Sequence, residues 1–219
     1  MVTPNSARAP DARGGAFALR RLSPQPERQP GSRLPAPGDL ALVQAFVNTF
    51  WDLDRPGEDQ LASPRALAEW LADRGLMQPG ARLSRADLRR ALNLREGLRA
   101  LLFTNNGSPP DRDAVERLNR ALRRPGVFVQ LDQSAPPDFV APRPNLDGAL
   151  GLIATIVALA QLDGSWARLK ACRGEHCGWA FYDHSRNQTG SWCAMSVCGS
   201  RAKAQQYRRR KRRSGAHAS

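Results

Sequence analysis

Four cysteines, Cys172, Cys177, Cys193 and Cys198, fall in one 27-residue window and are the only cysteines of the 219-residue chain. Four residues lie inside each pair and fifteen lie between the pairs. Zinc takes four soft ligands at tetrahedral vertices, each sulfur about 2.3 Å from the metal, and two thiolate pairs on separate turns meet that demand. A structural Zn²⁺ is therefore the expected chemistry. Two other readings compete with it. Disulfides need an oxidising compartment, and no secretory signal is visible; Arg20-Arg21 is followed by a Pro-rich stretch rather than an apolar one. A redox or catalytic metal site needs a C-x-x-C pair or an open coordination position, and the spacing indicates neither. His176 and His184 lie inside the window and can in principle replace a thiolate, but surface or supporting positions suit them better, and His217 belongs to the tail.

Particular local elements must hold such ligands. Gly174 and Gly178 let the backbone bend around the first pair, and Gly199 does so after the second. The fifteen residues between the pairs can fold as a hairpin, with strand character at Trp179-Ala180-Phe181-Tyr182-Asp183 and an aromatic, Trp192, directly before Cys193. In so small a module those aromatics supply what core there is. From Gly199 onward the composition suits a helix, with Arg201, Arg208 and Arg212 on one face, whose N-terminal amides can hydrogen-bond a phosphate. Arg201 and Lys203 are the candidates for close nucleic-acid contact because the fold should hold them. Arg208, Arg209, Arg210, Lys211, Arg212 and Arg213 are candidates for sequence-independent phosphate contact.

The charge is concentrated at this end. Residues 168–219 hold twelve Lys or Arg against two acids, whereas residues 39–167 hold fifteen Arg against sixteen acids. A general need for solubility would spread the charge; its concentration is the electrostatic footprint of a polyanion-binding module.

Ahead of the module the pattern is helical. Residues 1–38 contain seven of the seventeen prolines and few large apolar side chains, the composition of a disordered segment. Leu40, Val43, Phe46, Val47 and Phe50 then fall at helical spacing. Ser63-Pro64 has the form of an N-cap and first helical position, with Leu67, Trp70 and Leu71 inward and Gly75 as the stop. Ser84 with Asp87 makes a capping box for a longer helix carrying Leu88, Ala91, Leu92, Arg95, Leu98 and Leu102, and Asp111 caps another. Val127 to Leu131 and Asp138 to Ala141 are paired strands, and Asp147 opens a strongly apolar helix, Leu150 to Leu162. The longest apolar run, residues 148–162, is shorter than the roughly 18 residues a membrane-spanning helix needs. The fold class is mainly α with a small β-hairpin: a helical domain over 39–165, then a four-cysteine zinc-finger module of hairpin and basic helix over 166–213, then a disordered tail at 214–219.

The stretch Cys172-x4-Cys177-Gly-Trp-x-Phe-x-Asp183-x-Ser185-Arg-Asn187, then Trp192-Cys193-x-Met195-x-x-Cys198-Gly-Ser-Arg201-x-Lys203-Ala, resembles the CGNR zinc finger, a bacterial family named for its last cysteine followed by Gly-Asn-Arg. The body is similar to the ABATE domain that commonly precedes that finger. Leu40-Ala-Leu with Phe46-Val-Asn48-Thr49, Trp70-Leu71, and Leu94-Arg95-Glu96-x-Leu98-Arg99 carry that likeness. The resemblance spans residues 39–213 and implies a stress-induced transcription regulator whose finger binds DNA. It departs from the family at Ser200, where Asn is usual, and at Gln188-Thr-Gly-Ser191, where basic residues are common. Neither departure removes a metal ligand; both reduce polar or cationic contacts.

Among the family-like segments, Asn48, Thr49, Arg95, Glu96 and Arg99 are polar residues on otherwise apolar helices. They are candidates either for binding a small-molecule effector or for buried ion pairs and caps. The body has no His and no Cys, and no nucleophile–base pair or phosphate-cradling loop emerges, so no enzyme is expected. The leading expectation is a cytoplasmic, zinc-dependent DNA-binding regulator whose body senses a ligand or forms a homodimer, with no membrane association. The alternative is an RNA- or ribosome-associated zinc protein that tracks phosphate without reading DNA sequence.

Overall fold

The computed structural model describes residues 17–25, 28–51, 59–124, 126–131, 133 and 136–215, with backbone alone over 209–215. Six α-helices and two small antiparallel sheets account for its regular structure. The helices are α1 (Leu40–Asn48), α2 (Pro64–Asp73), α3 (Arg85–Asn105), α4 (Arg112–Ala121), α5 (Leu146–Leu162) and α6 (Ser200–Gly215). One sheet orders the strands β1 (Phe17–Ala18), β3 (Asp138–Ala141) and β2 (Phe128–Gln130), and the other pairs β4 (Leu169–Ala171) with β5 (Ala180–Tyr182). Among the described residues no helix is long and apolar enough to cross a membrane.

The helix starts follow local hydrogen-bonding chemistry. The Ser63 hydroxyl accepts from the Ala66 amide with Pro64 as the first helical residue, and both halves of the Ser84–Asp87 capping box form. Asp111 accepts from the Ala114 amide, and Ala114, Leu118 and Ala121 form the buried face of α4, which packs on α3. There the two helices come close: a Cβ on Gly97 would lie 2.4 Å from the Leu118 Cβ, so only glycine fits. The apolar helix begins earlier than expected. Asn145, rather than Asp147, caps it by accepting from the Gly148 amide, and this places Leu146 in the core.

Helix α1 is buried along its whole length, Gln44 and Asn48 included, and packs against α3, α5 and β5. Leu42, Phe46, Leu71, Leu98, Leu102, Leu150 and Ile153 form the centre of the main core. The expected hairpin of the body is present as β2 and β3, with Phe128 opposite Val140.

Two expectations change. Residues 1–38 read as a segment without packing, yet the described part of it is built into the fold. Phe17 and Ala18 pair with Ala141 and Val140, Leu19 is buried in the main core, and Gln29 is buried against the cysteine module. Its few apolar residues and side-chain amides dock on a core made elsewhere, which composition does not register. Residues 1–16 lie outside the described region, as do residues 216–219 of the expected tail, whereas Ser214 and Gly215 belong to α6.

The second change concerns the module's hairpin. It lies around the first cysteine pair, not between the two pairs. Strand β4 enters Cys172 and β5 leaves Cys177, with the Cys172 amide bonded to the Trp179 carbonyl, so the first ligand turn is itself the hairpin loop. Residues 166–170, which the sequence reads as the join between the helical body and the cysteine module, form part of a short 3₁₀ turn and of β4.

Candidate metal centre and basic helix

Alternation along β4 and β5 makes this hairpin a wall with two faces. Leu169, Ala171, Ala180 and Tyr182 belong to the main core, whereas Phe181 belongs to a second cluster formed by the four cysteines with Trp179 and Trp192 against them. The finger is thus not appended to the body; one face of its sheet is part of the body's core.

The four thiol sulfurs are buried and all lie within 4.8 Å of one another, with Cys193 Sγ 3.6 Å from Cys198 Sγ. A tetrahedral zinc at about 2.3 Å from each ligand places its sulfurs about 3.8 Å apart. No two sulfurs are bonded; all four cysteines are free. Convergence of four sulfurs on one point, rather than two separate contacts, fits a metal and not a disulfide framework. The Gly174 and Cys193 amides point at Cys172 Sγ, at 3.4 and 3.3 Å, as donors that support a thiolate. A Cβ on Gly174 would sit 2.8 Å from Cys198 Sγ, so the first turn needs glycine to close over the cluster.

Four adjacent thiols cannot all ionise without a cation. Hydrogen bonds from Cys177 and Cys193 favour the thiolate at Cys172 and lower its pKa. Bonding to Cys172 pushes the Cys177 and Cys193 thiols up, and burial together with the Cys172 charge pushes Cys198 up. A divalent ion at the centre reverses that penalty. The donor set can hold one Zn²⁺, which would supply folding free energy and fix the turns, with no position left for a substrate.

The loop after β5 is organised by one buried ion pair. Asp183, with its side chain 1% exposed, accepts from Lys170 Nζ at 2.9 Å, from the Ser185 amide and hydroxyl, and from the Gly190 amide. Lys170 uses its remaining donors on the Gln188 and Gly190 carbonyls. Burial opposes the Asp183 charge, but the bonds from Ser185 and Lys170 outweigh it and hold the carboxyl well below the usual range. Arg33, from the segment expected to be unstructured, donates to the Cys193, Trp192 and Tyr182 carbonyls and lies over the Phe181 ring. Nothing in its local sequence signals that role.

The five residues considered for an effector site all have internal partners. Asn48 treats Ala180 as a strand neighbour, its amide donating to the Ala180 carbonyl at 3.0 Å and its oxygen accepting from the Ala180 amide at 2.7 Å. Arg99 donates to the Gly178 carbonyl at 2.5 Å, to the Val47 and Phe50 carbonyls and to Glu96. Arg95 holds Asp59, Thr49 and Glu96. Asn48 and Arg99 thus fasten the end of the first ligand turn and β5 to α1 and α3, and Arg95 ties α3 to Thr49 and Asp59, so these positions are taken by the protein itself. Gln44 extends the same junction by bonding Ala180 and Gln29, and Asn106 by donating to the Ala171 and Ser191 carbonyls. Gln44 was recognisable in principle: with Asn48 it stands four residues apart on an otherwise apolar helix.

The second ligand turn is a π-type turn over Met195–Gly199 that runs directly into α6. Ser200, at the family's Asn position, donates its hydroxyl to the Ser196 and Val197 carbonyls and so bonds its own turn. Arg201, Lys203 and Arg208 are exposed on α6, and none has an ion pair among the described residues. Arg209, Arg210, Lys211, Arg212 and Arg213 continue the helical backbone.

Two family models match the chain in order. The ABATE model, described as "Putative stress-induced transcription regulator", covers residues 40–169, and the CGNR zinc finger model covers residues 168–211. No curated protein matches. The ABATE match extends over more than half of the 219 residues, and of the residues that carried the sequence likeness the buried Asn48 and Arg99 bind the finger to the helices, while the half-exposed Glu96 holds the guanidinium groups of Arg95 and Arg99. The chain belongs to the ABATE family of transcription-regulator-like proteins and carries a CGNR zinc finger at the end of that domain.

Proposed function

We propose that this protein is a zinc-dependent DNA-binding regulator of the cytoplasm in which α6 is the DNA-contacting element and the ABATE body is its mount. The observation that carries the reading is α6 itself. From Ser200 to Gly215 it holds eight Lys or Arg and no acid, and it leaves the metal centre without a loop between. A cationic helix fixed at one end by a metal-held turn presents charge in a defined direction. Arg201 and Lys203, in its first turn, are closest to the fixed end and make the most ordered contacts. Arg208 to Arg213 add phosphate contacts that raise affinity without reading bases. No catalytic step belongs to this reading, and no effector is assigned to the junction residues.

The test is duplex binding by fluorescence anisotropy over a range of salt, with zinc-loaded protein and with protein stripped by a chelator. The zinc-loaded form should bind with a steep salt dependence, about 0.9 in log–log slope per phosphate contact, and the stripped form should lose that binding. Absence of duplex binding by the zinc-loaded form would remove the proposal. Ser200, whose hydroxyl is bonded inside its own turn, favours the second reading of a phosphate-tracking, RNA-associated protein. Equal competition by RNA and random duplex would support it.

A further inference from the structure

Beside α6 lies a cleft of about 420 Å³ lined by Trp192, Gly199, Ala202, Lys203, Gln205 and Gln206. Its floor is the half-buried Trp192, which follows directly on the loop fixed by Asp183 and Lys170 and is anchored through its own carbonyl by Arg33. The indole Nε1–H has no hydrogen-bond partner among the described residues, whereas that of Trp179 bonds Gln29. Gly199 lets the start of α6 pack close to this ring: a Cβ there would meet Met195 Sδ at 2.7 Å and the Trp192 ring at 3.4 Å. Opposite stands the first turn and a half of α6, with small Ala202 at the wall and Lys203, Gln205 and Gln206 at the rim. One acid reaches the rim, Glu175, which is held by Gln205 Nε2 at 2.9 Å.

The arrangement combines an aromatic floor, amide groups able to bond a base edge, and an unbroken run of cations along the adjoining helix. A base paired inside a duplex cannot reach such a floor, because its faces are covered by its neighbours; an unpaired base can. We infer that the Trp192 cleft is a stacking site for an unpaired nucleobase, so that the protein prefers locally melted or mismatched DNA over perfect duplex. The inference rests on the DNA-binding reading above and makes it more specific. Phosphate contacts by α6 bring the strand alongside, and stacking on Trp192 selects a base that has left the helix. Such stacking is tolerant of base identity, so selectivity is for strand structure and not for sequence.

The experiment compares three labelled DNAs at fixed salt: a perfect duplex, the same duplex with a short central unpaired stretch, and that bubble with abasic residues in place of its unpaired bases. Zinc-loaded wild type should bind the bubble about tenfold more tightly than the duplex, and the abasic bubble should fall back to the duplex value. Trp192→Ala should abolish the preference, while Trp192→Phe retains part of it and the salt slope stays the same. Because Trp192 also packs on the cysteine cluster, Ala202→Phe serves as a second variant that fills the cleft and leaves floor and ligands intact. It too should lose the preference with zinc stoichiometry unchanged. Equal binding of duplex and bubble, equal binding of normal and abasic bubbles, or a preference that survives both variants would overturn the inference. Duplex binding without bubble preference sinks the stacking site alone, while no DNA binding at all sinks the reading on which it rests. A bubble made of RNA that outcompetes the DNA bubble would overturn the assignment to DNA.

Discussion

The junction between body and finger and the helix α6 use the same residue type in opposite ways. At the junction, Arg99 is buried with 4% of its side chain exposed, and its donors go to the Val47, Phe50 and Gly178 carbonyls and to Glu96. On α6, Arg201, Lys203 and Arg208 face solvent without an acid in the helix. A guanidinium committed to backbone carbonyls fixes geometry and cannot bind a partner. A row of uncommitted cations stores repulsion that a polyanion relieves. The difference teaches that Asn48 and Arg99 of the body act on the finger's position, and on the proposed reading it leaves partner recognition to the metal-held end. It also makes the two regions separable by experiment.

The largest effect should come from removing the metal. Taken alone, the sequence predicts that losing a ligand unfolds the finger and spares the body. Leu169, Ala171, Ala180 and Tyr182 are finger residues in the body's core, however, so the two should lose stability together. Zinc supplies roughly 10–16 kcal/mol in isolated finger peptides, more than the whole stability of many domains. Chelation, or Cys193→Ser, should therefore lower the melting temperature of the entire protein and remove hydrogen-exchange protection from α1 as well as from β5. Unchanged protection of α1 in the stripped protein would show the body standing alone.

Next in size is the junction itself. Arg99→Met leaves the Val47, Phe50 and Gly178 carbonyls without this donor and Glu96 with Arg95 alone, a loss of about 3–5 kcal/mol. Denaturant titration should show that loss, while zinc stoichiometry in the folded protein and the salt slope for DNA stay at the wild-type value. A changed slope would mean that the junction also touches nucleic acid, which would end the division of labour between the two regions.

Much of this was legible in the sequence, and what was missed has a common physical cause. Ligands, three of the helix caps and the β2–β3 pair were readable because each is set by residues close together in the chain: Ser63 caps Ala66, Ser84 caps Asp87, and paired cysteines flank one turn; at α5 two capping residues stand two apart, and the cap is Asn145. Arg33, Gln29 and the pairing of β4 with β5 around Cys172 were not readable in the same way. Their partners are distant or, for β4, look like a connector, and short polar segments that dock on another core carry no periodicity. Asn48 and Arg99 lie between these cases. Their unusual polarity marked them as special, yet polarity alone does not tell a bound ligand from a bound backbone.

A third outcome concerns acid. Asp183 is held below its ordinary pKa, as are Asp59 and Glu96, for each of which the charges and bonds of Arg95 or Arg99 outweigh burial. A carboxyl depressed in the folded state contributes stability that is present above its unfolded value, about 4. That contribution is lost as pH falls toward the folded value. The stability gap between wild type and Asp183→Asn, both measured in the same excess of zinc, should thus be widest near neutral pH and narrow below about pH 4. Zinc release at low pH acts on both proteins alike and leaves the difference readable. A gap that stays constant with pH would assign the effect of Asp183 to packing and not to charge.

The smallest effect on stability should accompany a clear effect on binding. Arg208 is exposed and has no partner among the described residues, so Arg208→Ala should change the unfolding midpoint by no more than about 0.5 kcal/mol in equivalent stability. If it neutralises one phosphate, the same substitution should lower the log–log salt slope by about 0.9 and weaken binding uniformly across sequences. Arg201→Ala, one turn from the metal-held end, should lower the slope by a similar amount and also reduce any preference among DNA structures, because it removes an ordered contact beside the Trp192 cleft. If both variants lose affinity in the same uniform way, α6 is a single electrostatic rod. If only Arg201→Ala alters preference, the fixed end reads and the free end holds.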